Sequence, residues 1–80
     1  MSEALPKLTR EAITQSRVIA KGTRIRDVGR LVATYGGRSS KWLKKSSRRF
    51  EVDGTQYEYH WYEHHGVGKV EMKRKRVNQP

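Results

Sequence analysis

The chain has 80 residues, enough for one domain with a modest core, since a domain of this size buries only about 60% of the surface that its unfolded chain exposes. Lysine and arginine number 18 against 8 aspartate and glutamate residues, and the net charge of +10 indicates an anionic partner, with nucleic acid favoured over an acidic protein or a membrane surface. The absence of cysteine excludes a disulfide framework and a thiolate metal site, and no apolar run approaches the roughly 20 residues that span a bilayer. With neither disulfides nor a visible signal peptide, we expect a protein that acts inside a cell or refolds readily after transit.

The start of the chain has a weak pattern. Residues 1–16 are expected to be a linker or a short N-terminal helix. Residues 9–19 are ambiguous, because their first apolar side chains suit a helical turn, while a strand could open at Arg17. The helix is the preferred interpretation.

The next segment predicts a helix more clearly. Apolar residues recur at helical spacing over 24–35, Thr23 is a plausible N-cap, and the two glycines that follow Tyr35 supply a C-terminal stop. Residues 38–45 are expected to be a basic connector that Trp42 anchors to the core as a short turn.

The second half of the chain predicts strands joined by hairpins. Asp53-Gly54 is a strong signal for a two-residue hairpin turn, and two glycines within 64–68 indicate a second hairpin. Residues 17–77 are therefore predicted to be a single domain, with 78–80 as a tail. Alternating polar and apolar residues define the three predicted strands as 47–52, 55–63 and 69–77.

These elements predict an α+β fold, with one or two N-terminal helices packed on one face of an antiparallel β-meander of three to four strands. Because side chains alternate along a strand, one face is expected to be apolar and covered by the helix, and the other to be polar. The expected core face carries Phe50, Val52, Tyr57, Tyr59, Trp61, Val70 and Met72. The expected uncovered face carries Ser47, Arg49, Glu51, Glu58, His60, Tyr62, Glu71, Lys73 and Lys75.

The turns also predict strand register. The Asp-Gly turn sets Ser47 opposite His60. The second hairpin has two registers that keep the apolar faces together. A tight turn sets His60 opposite Lys73 and Tyr62 opposite Glu71, whereas a six-residue loop sets His60 opposite Glu71. In either register His60, Glu71 and Lys73 are direct or diagonal neighbours, with Cβ atoms within about 4.5–8 Å of one another.

Such a polar cluster matches the needs of RNA cleavage through the 2′-hydroxyl. An imidazole can move protons at neutral pH, a carboxylate can assist it, and cations can neutralise the phosphate. The predicted catalytic residues are His60, Glu71, Lys73 and Ser47. The predicted RNA- and phosphate-binding residues are Arg49, Lys44, Lys45, Arg48, Tyr62 and Lys75.

Other interpretations of the same residues stay open at this stage. A solvated sheet surface normally carries mixed charges, so the polar face by itself does not require a site. His64 and His65 beside His60 raise the possibility of a metal site, but no cysteine or aspartate completes a ligand set, and no metal or cofactor is predicted. The strand aromatics could stack bases, although their shared face favours a role in the core.

Five segments of the chain resemble one protein family. They are IRDV (25–28), YGG (35–37), WLKKSS (42–47), YEYHWYE (57–63) and GKVEMK (68–73). Over roughly residues 18–77 they resemble the C-terminal toxin domains of bacterial polymorphic toxins, which end large effectors of the contact-dependent inhibition and Rhs types. The chain departs from family members that carry Asn or Thr at the hairpin tip, since it has His64-His65 there.

The resemblance implies a metal-independent endoribonuclease of the barnase, colicin and mRNA-interferase fold group. Such toxins commonly cut tRNA and are blocked by a cognate immunity protein, which is expected to be acidic. The domain would then be delivered as part of a larger effector, act in the cytoplasm of a target cell, and be monomeric when unbound. The alternatives are a non-catalytic basic RNA- or DNA-binding module and a protein-interaction module.

Overall fold

A computed structural model describes residues 11 and 13–77, so the predictions for 1–10 and 78–80 lie outside the described residues. In this part of the chain the structure has an α-helix over Val28–Tyr35 and a five-stranded antiparallel sheet, which confirms the predicted α+β class with a helix packed on a meander. Residues 11, 13 and 14 are also helical. The strands are β1 (Arg17–Lys21), β2 (Leu43–Ser46), β3 (Phe50–Val52), β4 (Thr55–His64) and β5 (Gly68–Arg76). The helix α1 spans Val28–Tyr35, and single 3-10 turns occupy Gly22–Arg24 and Ser39–Lys41.

Strand β4 is the centre of the sheet. Its one edge pairs with β5, and its other edge pairs with both β2 and β3, which follow each other along that edge. Strand β1 adds to the outside of β2. No helix in the described residues is long and apolar enough to cross a membrane.

The first hairpin confirms the predicted turn. Val52 pairs with Thr55 across it, and both central residues have positive φ, 50° at Asp53 and 82° at Gly54, as a type I′ turn requires. The pairing farther along β4 was predicted wrongly, because an extra residue lies between β3 and β2. Ser46 lies opposite His60 in place of the predicted Ser47.

The second hairpin combines a correct and an incorrect prediction. His60 lies opposite Lys73, as the tight-turn register predicts. Tyr62, however, lies opposite Val70 and not opposite Glu71, because a β-bulge shifts the register between these pairs. Glu71 has φ 57°, a left-handed backbone that is rare outside glycine and that marks it as the extra residue of the bulge.

Helix α1 packs on the opposite sheet face from the one predicted. Leu31 of α1 forms the fully buried core with Ile25 and Trp42, and Tyr62 and Val70 of the sheet pack against that core. We call this covered side the proximal face, and the side that carries Phe50, Tyr57, Tyr59 and Trp61 the distal face. Alternation shows which side chains share a face, but it does not show which face the helix meets, and the greater aromatic content of the distal face misled the prediction.

Several predicted boundaries in the first half were wrong. Arg17–Lys21 is a strand and not the end of a helix, because it pairs with β2. The second part of the predicted 38–45 connector is this strand β2 and not a turn. Helix α1 begins four residues after the predicted start at 24, with Asp27 in place of Thr23 as its N-cap and without a side-chain cap bond. Its end agrees with the prediction, since Gly36 has φ 87° and donates its N–H to Val32.

Candidate catalytic pocket and nucleic-acid interface

The proximal face carries a half-open pocket of about 60 Å³. Six of the ten predicted site residues line it. They lie on β2, β4 and β5, so the sheet brings together side chains that are far apart in sequence. The lining residues are Lys44, His60, Trp61, Tyr62, Glu71, Lys73 and Lys75.

His60 has a carboxylate partner in this pocket region, and that partner is Glu58. The imidazole Nε2 lies 3.1 Å from Glu58 Oε1. The two residues are separated by one position on β4, so alternation puts both side chains on the proximal face. Ser46, which lies opposite His60, brings its Oγ to 3.2 Å from the same carboxylate oxygen.

Glu58 is held in its charged form. Partial burial opposes ionisation, but hydrogen bonds from His60 and Ser46 and the nearby charge of Arg17 outweigh it and lower the pKa of the Glu58 carboxyl. Arg17 and Arg49 also face the second oxygen, Oε2, at 3.9 Å and 3.7 Å. Arg49, predicted to bind phosphate, therefore lies at the edge of the His60–Glu58 pair.

Glu71 lines the pocket, but its carboxylate is engaged by α1 and not by His60. Arg30 donates two hydrogen bonds to it, at 2.9 Å and 2.8 Å, and the Tyr35 hydroxyl donates a third at 2.9 Å. These bonds lower the pKa of Glu71 to about 2, so it is a weak base at neutral pH. The left-handed backbone at Glu71 turns its side chain toward α1, and the residue joins the helix to β5.

Three lysines give the pocket its positive charge. Lys73 lies opposite His60, and Lys75 lies opposite Glu58 on the next proximal position of β5. Lys44 lies opposite Tyr62, with its Nζ 6.0 Å from the ring centroid. Within residues 13–77, none of the three lysines makes an ion pair, so their charges are available to an anionic ligand.

Tyr62 forms the wall of the pocket nearest to α1. It is half-buried against the Ile25–Leu31–Trp42 core. Burial and the negative charge of Asp27 raise the pKa of its phenol, so the hydroxyl stays protonated at neutral pH and can donate a hydrogen bond.

Three other predicted site residues lie outside the pocket. Ser47 is fully buried, and its hydroxyl accepts the N–H of Tyr59 and donates to the carbonyl of Arg48, so it closes the bulge between β2 and β3. Lys45 points to the distal face, where its Nζ lies 3.3 Å from Glu63. Arg48 is exposed on the bulge itself.

The sequence analysis overlooked Glu58 and Ser46 as site residues. Glu58 had a usable signal, because it stands two positions before His60 on an alternating strand. Ser46 had none, because its place depends on the bulge, which the sequence pattern does not reveal.

The histidines at the hairpin tip are packed against the protein. His64 is buried, its ring lies 5.3 Å from that of Trp42, and its Nδ1 accepts the N–H of Gly66. His65 stacks on it at 5.3 Å. Among residues 11 and 13–77, no group of three His, Asp or Glu side chains is arranged to hold a metal ion.

Comparison with known proteins adds no assignment to these observations. No family model, curated protein or solved structure matches the chain. The pocket and the charge around it are therefore the features of the chain that bear on its function.

Proposed function

We propose that this chain is an endoribonuclease that cleaves RNA without a metal ion, through attack of the 2′-hydroxyl on the adjacent phosphate. The observation that carries the proposal is the contact between His60 and Glu58, 3.1 Å long, beside three lysines in a small open pocket. An imidazole oriented by a carboxylate is a proton-transfer device, and ammonium groups beside it suit a phosphate.

The hydrogen bond to Glu58 assigns the two nitrogens of His60. If Nε2 carries the proton and donates it to Glu58, Nδ1 is left as the basic nitrogen. Nδ1 then removes the 2′-hydroxyl proton, the 2′ oxygen bonds to phosphorus, and the bond from phosphorus to the 5′ oxygen breaks. The products are a 2′,3′-cyclic phosphate and a 5′-hydroxyl, whose proton comes from a pocket donor, for which Lys73 is the candidate.

The cations act on the crowded phosphate. Charge builds up on the non-bridging oxygens as the fifth bond to phosphorus forms, and ammonium groups already in place stabilise it. Lys44 and Lys75 stand on either side of His60 in this role, and Tyr62 can donate a hydrogen bond. Glu58 stabilises the imidazolium that proton transfer creates, and we assign it the partner role that the sequence analysis gave to Glu71.

The biological setting rests on the resemblance described above. We propose a toxin domain delivered as part of a larger effector, with tRNA as the RNA substrate in the cytoplasm of the target cell. An acidic immunity protein would match the net charge of +10 and could cover the pocket by presenting carboxylates to the lysines. We expect the unbound domain to be a monomer.

A non-catalytic RNA-binding module is the second candidate. It is favoured by the exposure of Lys73–Arg76 along β5, because a run of accessible cations binds phosphates whether or not a base is present. Such a module would hold RNA with a steep salt dependence and leave it intact.

Cleavage of purified total tRNA separates the two candidates. The wild type is expected to produce discrete fragments that end in a cyclic phosphate, in EDTA as well as without it. His60→Ala should lose cleavage by at least about 100-fold, the usual contribution of general acid–base catalysis. His65→Ala is the matched control, since His65 is exposed at the hairpin tip and does not line the pocket.

Circular dichroism of each variant checks that the fold survives. Full cleavage by His60→Ala would exclude His60 as the catalytic group. Intact tRNA with the wild type, at concentrations where RNA is bound, would favour the binding module.

A further inference from the structure

The distal face of the sheet carries an aromatic surface that the proposed reaction does not use. Phe50, Tyr57 and Tyr59 lie together there, with ring centroids 5.1 Å apart between Phe50 and Tyr59 and 6.0 Å apart between Phe50 and Tyr57. Phe50 is buried, but both tyrosines are only half-buried. Helix α1 packs on the other side of the sheet, so it does not cover these rings.

A planar cation already stacks on this surface. The guanidinium of Arg74 lies 4.3 Å from the centroid of the Tyr57 ring. Arg76 is paired with Tyr57 across the strands and is also exposed. Tyr57 therefore combines a ring that is only half-buried with a guanidinium that a base could displace or stack beside, and aromatic rings next to positive charge are what proteins use to hold bases of single-stranded nucleic acid.

The edge of the sheet connects this surface to the pocket. In the described residues β5 pairs with β4 alone, so its other side is free. Along β5, Lys73 and Lys75 line the pocket on the proximal face, and the intervening Arg74 and the next residue, Arg76, stand on the distal face. The result is a band of cations that passes round the edge from one face to the other.

We propose that Tyr57 and Tyr59 form a stacking platform for unpaired bases of an RNA strand whose backbone crosses β5 and enters the pocket. The proposal rests on the proposed function for the identity of the ligand as RNA. It specifies a single-stranded segment, because bases in a duplex are stacked on each other and cannot offer a free face to a tyrosine. The cations on β5 supply the charge complementarity for the backbone.

Binding by fluorescence anisotropy tests the platform separately from cleavage. The probes are a fluorescein-labelled 12-nucleotide oligouridine and a labelled 12-base-pair RNA duplex, and all proteins carry His60→Ala so that the probes stay intact. Tyr57→Leu keeps apolar bulk and removes the flat ring, and Tyr57→Phe is the matched control that keeps the ring.

Tyr57→Leu should weaken binding of oligouridine by about 5-fold to 150-fold, the usual effect of losing one stacked base. Binding of the duplex should change less than about twofold, because its bases do not reach the platform. Tyr57→Phe should bind both probes like its parent. An equal loss for both probes, or no loss for oligouridine, would overturn the platform.

Photocrosslinking of the unaltered chain to a 5-bromouridine oligonucleotide is a second test that does not depend on the folding of a variant. Adducts on the peptides that contain Tyr57 or Tyr59 support the platform, and adducts confined to other peptides overturn it.

Failure of the proposed ribonuclease function gives a different result from failure of the platform. A wild type that binds oligouridine through Tyr57 but leaves tRNA uncut removes the ribonuclease and keeps the platform, whereas a wild type that binds no RNA removes both.

Discussion

Replacing Glu58 by Gln tests the catalytic assignment most directly, because it removes one charge and keeps the shape of the side chain. Glu58 and His60 are largely shielded from solvent, with side-chain exposures of 13% and 22%. A charge pair at about 4 Å is worth about 1 kcal/mol in bulk water and about 4 kcal/mol at an effective dielectric constant of 20. Loss of that stabilisation from the imidazolium transition state corresponds to a fall in rate of about 5-fold to 1000-fold.

The assay is single-turnover cleavage of a labelled RNA by Glu58→Gln across a range of pH. We expect the single-turnover cleavage rate to fall within that range at every pH where the wild type is active, because the imidazolium formed in the reaction loses its counter-ion. Glu51→Gln on β3 is the matched control, since Glu51 is exposed and does not line the pocket. A folded Glu58→Gln variant that cleaves at the wild-type rate would refute the partner role of Glu58.

Three further predictions concern stability and binding. Glu71→Gln should lower Tm at pH 7 by about 4 °C. The difference in Tm should vanish as pH falls from 4.5 toward 2, because the folded carboxyl has a pKa of about 2 against an ordinary 4.5 and its stabilisation is lost in that window. A difference in the melting curves that persists unchanged at pH 2 would contradict the ion pair. Gly37→Ala should lose more stability in urea titrations than Gly54→Ala. Both glycines have positive φ, 83° and 82°, but of the two only Gly37 would place a new Cβ against a side chain, 2.5 Å from His64 Nε2. Equal losses of stability would argue against that contact. Lys75→Gln should reduce the salt slope of single-stranded RNA binding by about 0.7 if it neutralises one phosphate, and an unchanged slope would place Lys75 outside the interface.

Local patterns predicted the parts of the fold that local patterns control. The Asp53-Gly54 turn fixed its own hairpin, and the two glycines after Tyr35 ended α1 where expected. Alternation along β4 correctly grouped His60, Glu58 and Tyr62 on one face. These features depend on backbone preferences and on a period of two residues, both of which are written in the sequence.

The errors at the site have a common physical origin in the two irregularities beside β4. The extra residue between β2 and β3 placed Ser46, and not Ser47, opposite His60, and the bulge on β5 moved Glu71 out of step with Tyr62. A bulge at a non-glycine residue leaves no local signature, and the partners of the Glu71 carboxylate, Arg30 and Tyr35, lie on the helix far away in sequence. Such contacts join residues about 40 positions apart, and no local pattern reports them.

The pocket is open because α1 is much shorter than the strand β4 beneath it. Helix α1 has 8 residues and is about 12 Å long, whereas β4 has 10 residues and is about 33 Å long. The helix therefore covers the end of the proximal face near Tyr62 and leaves the end near His60 to solvent. The C-terminus of α1 lies beside the hairpin tip and not beside His60, since Gly36 O accepts the indole N–H of Trp42 and a Cβ at Gly37 would lie 2.5 Å from His64 Nε2. The short helix thus limits the core and, at the same time, leaves a cationic face of the central strand accessible to a phosphate.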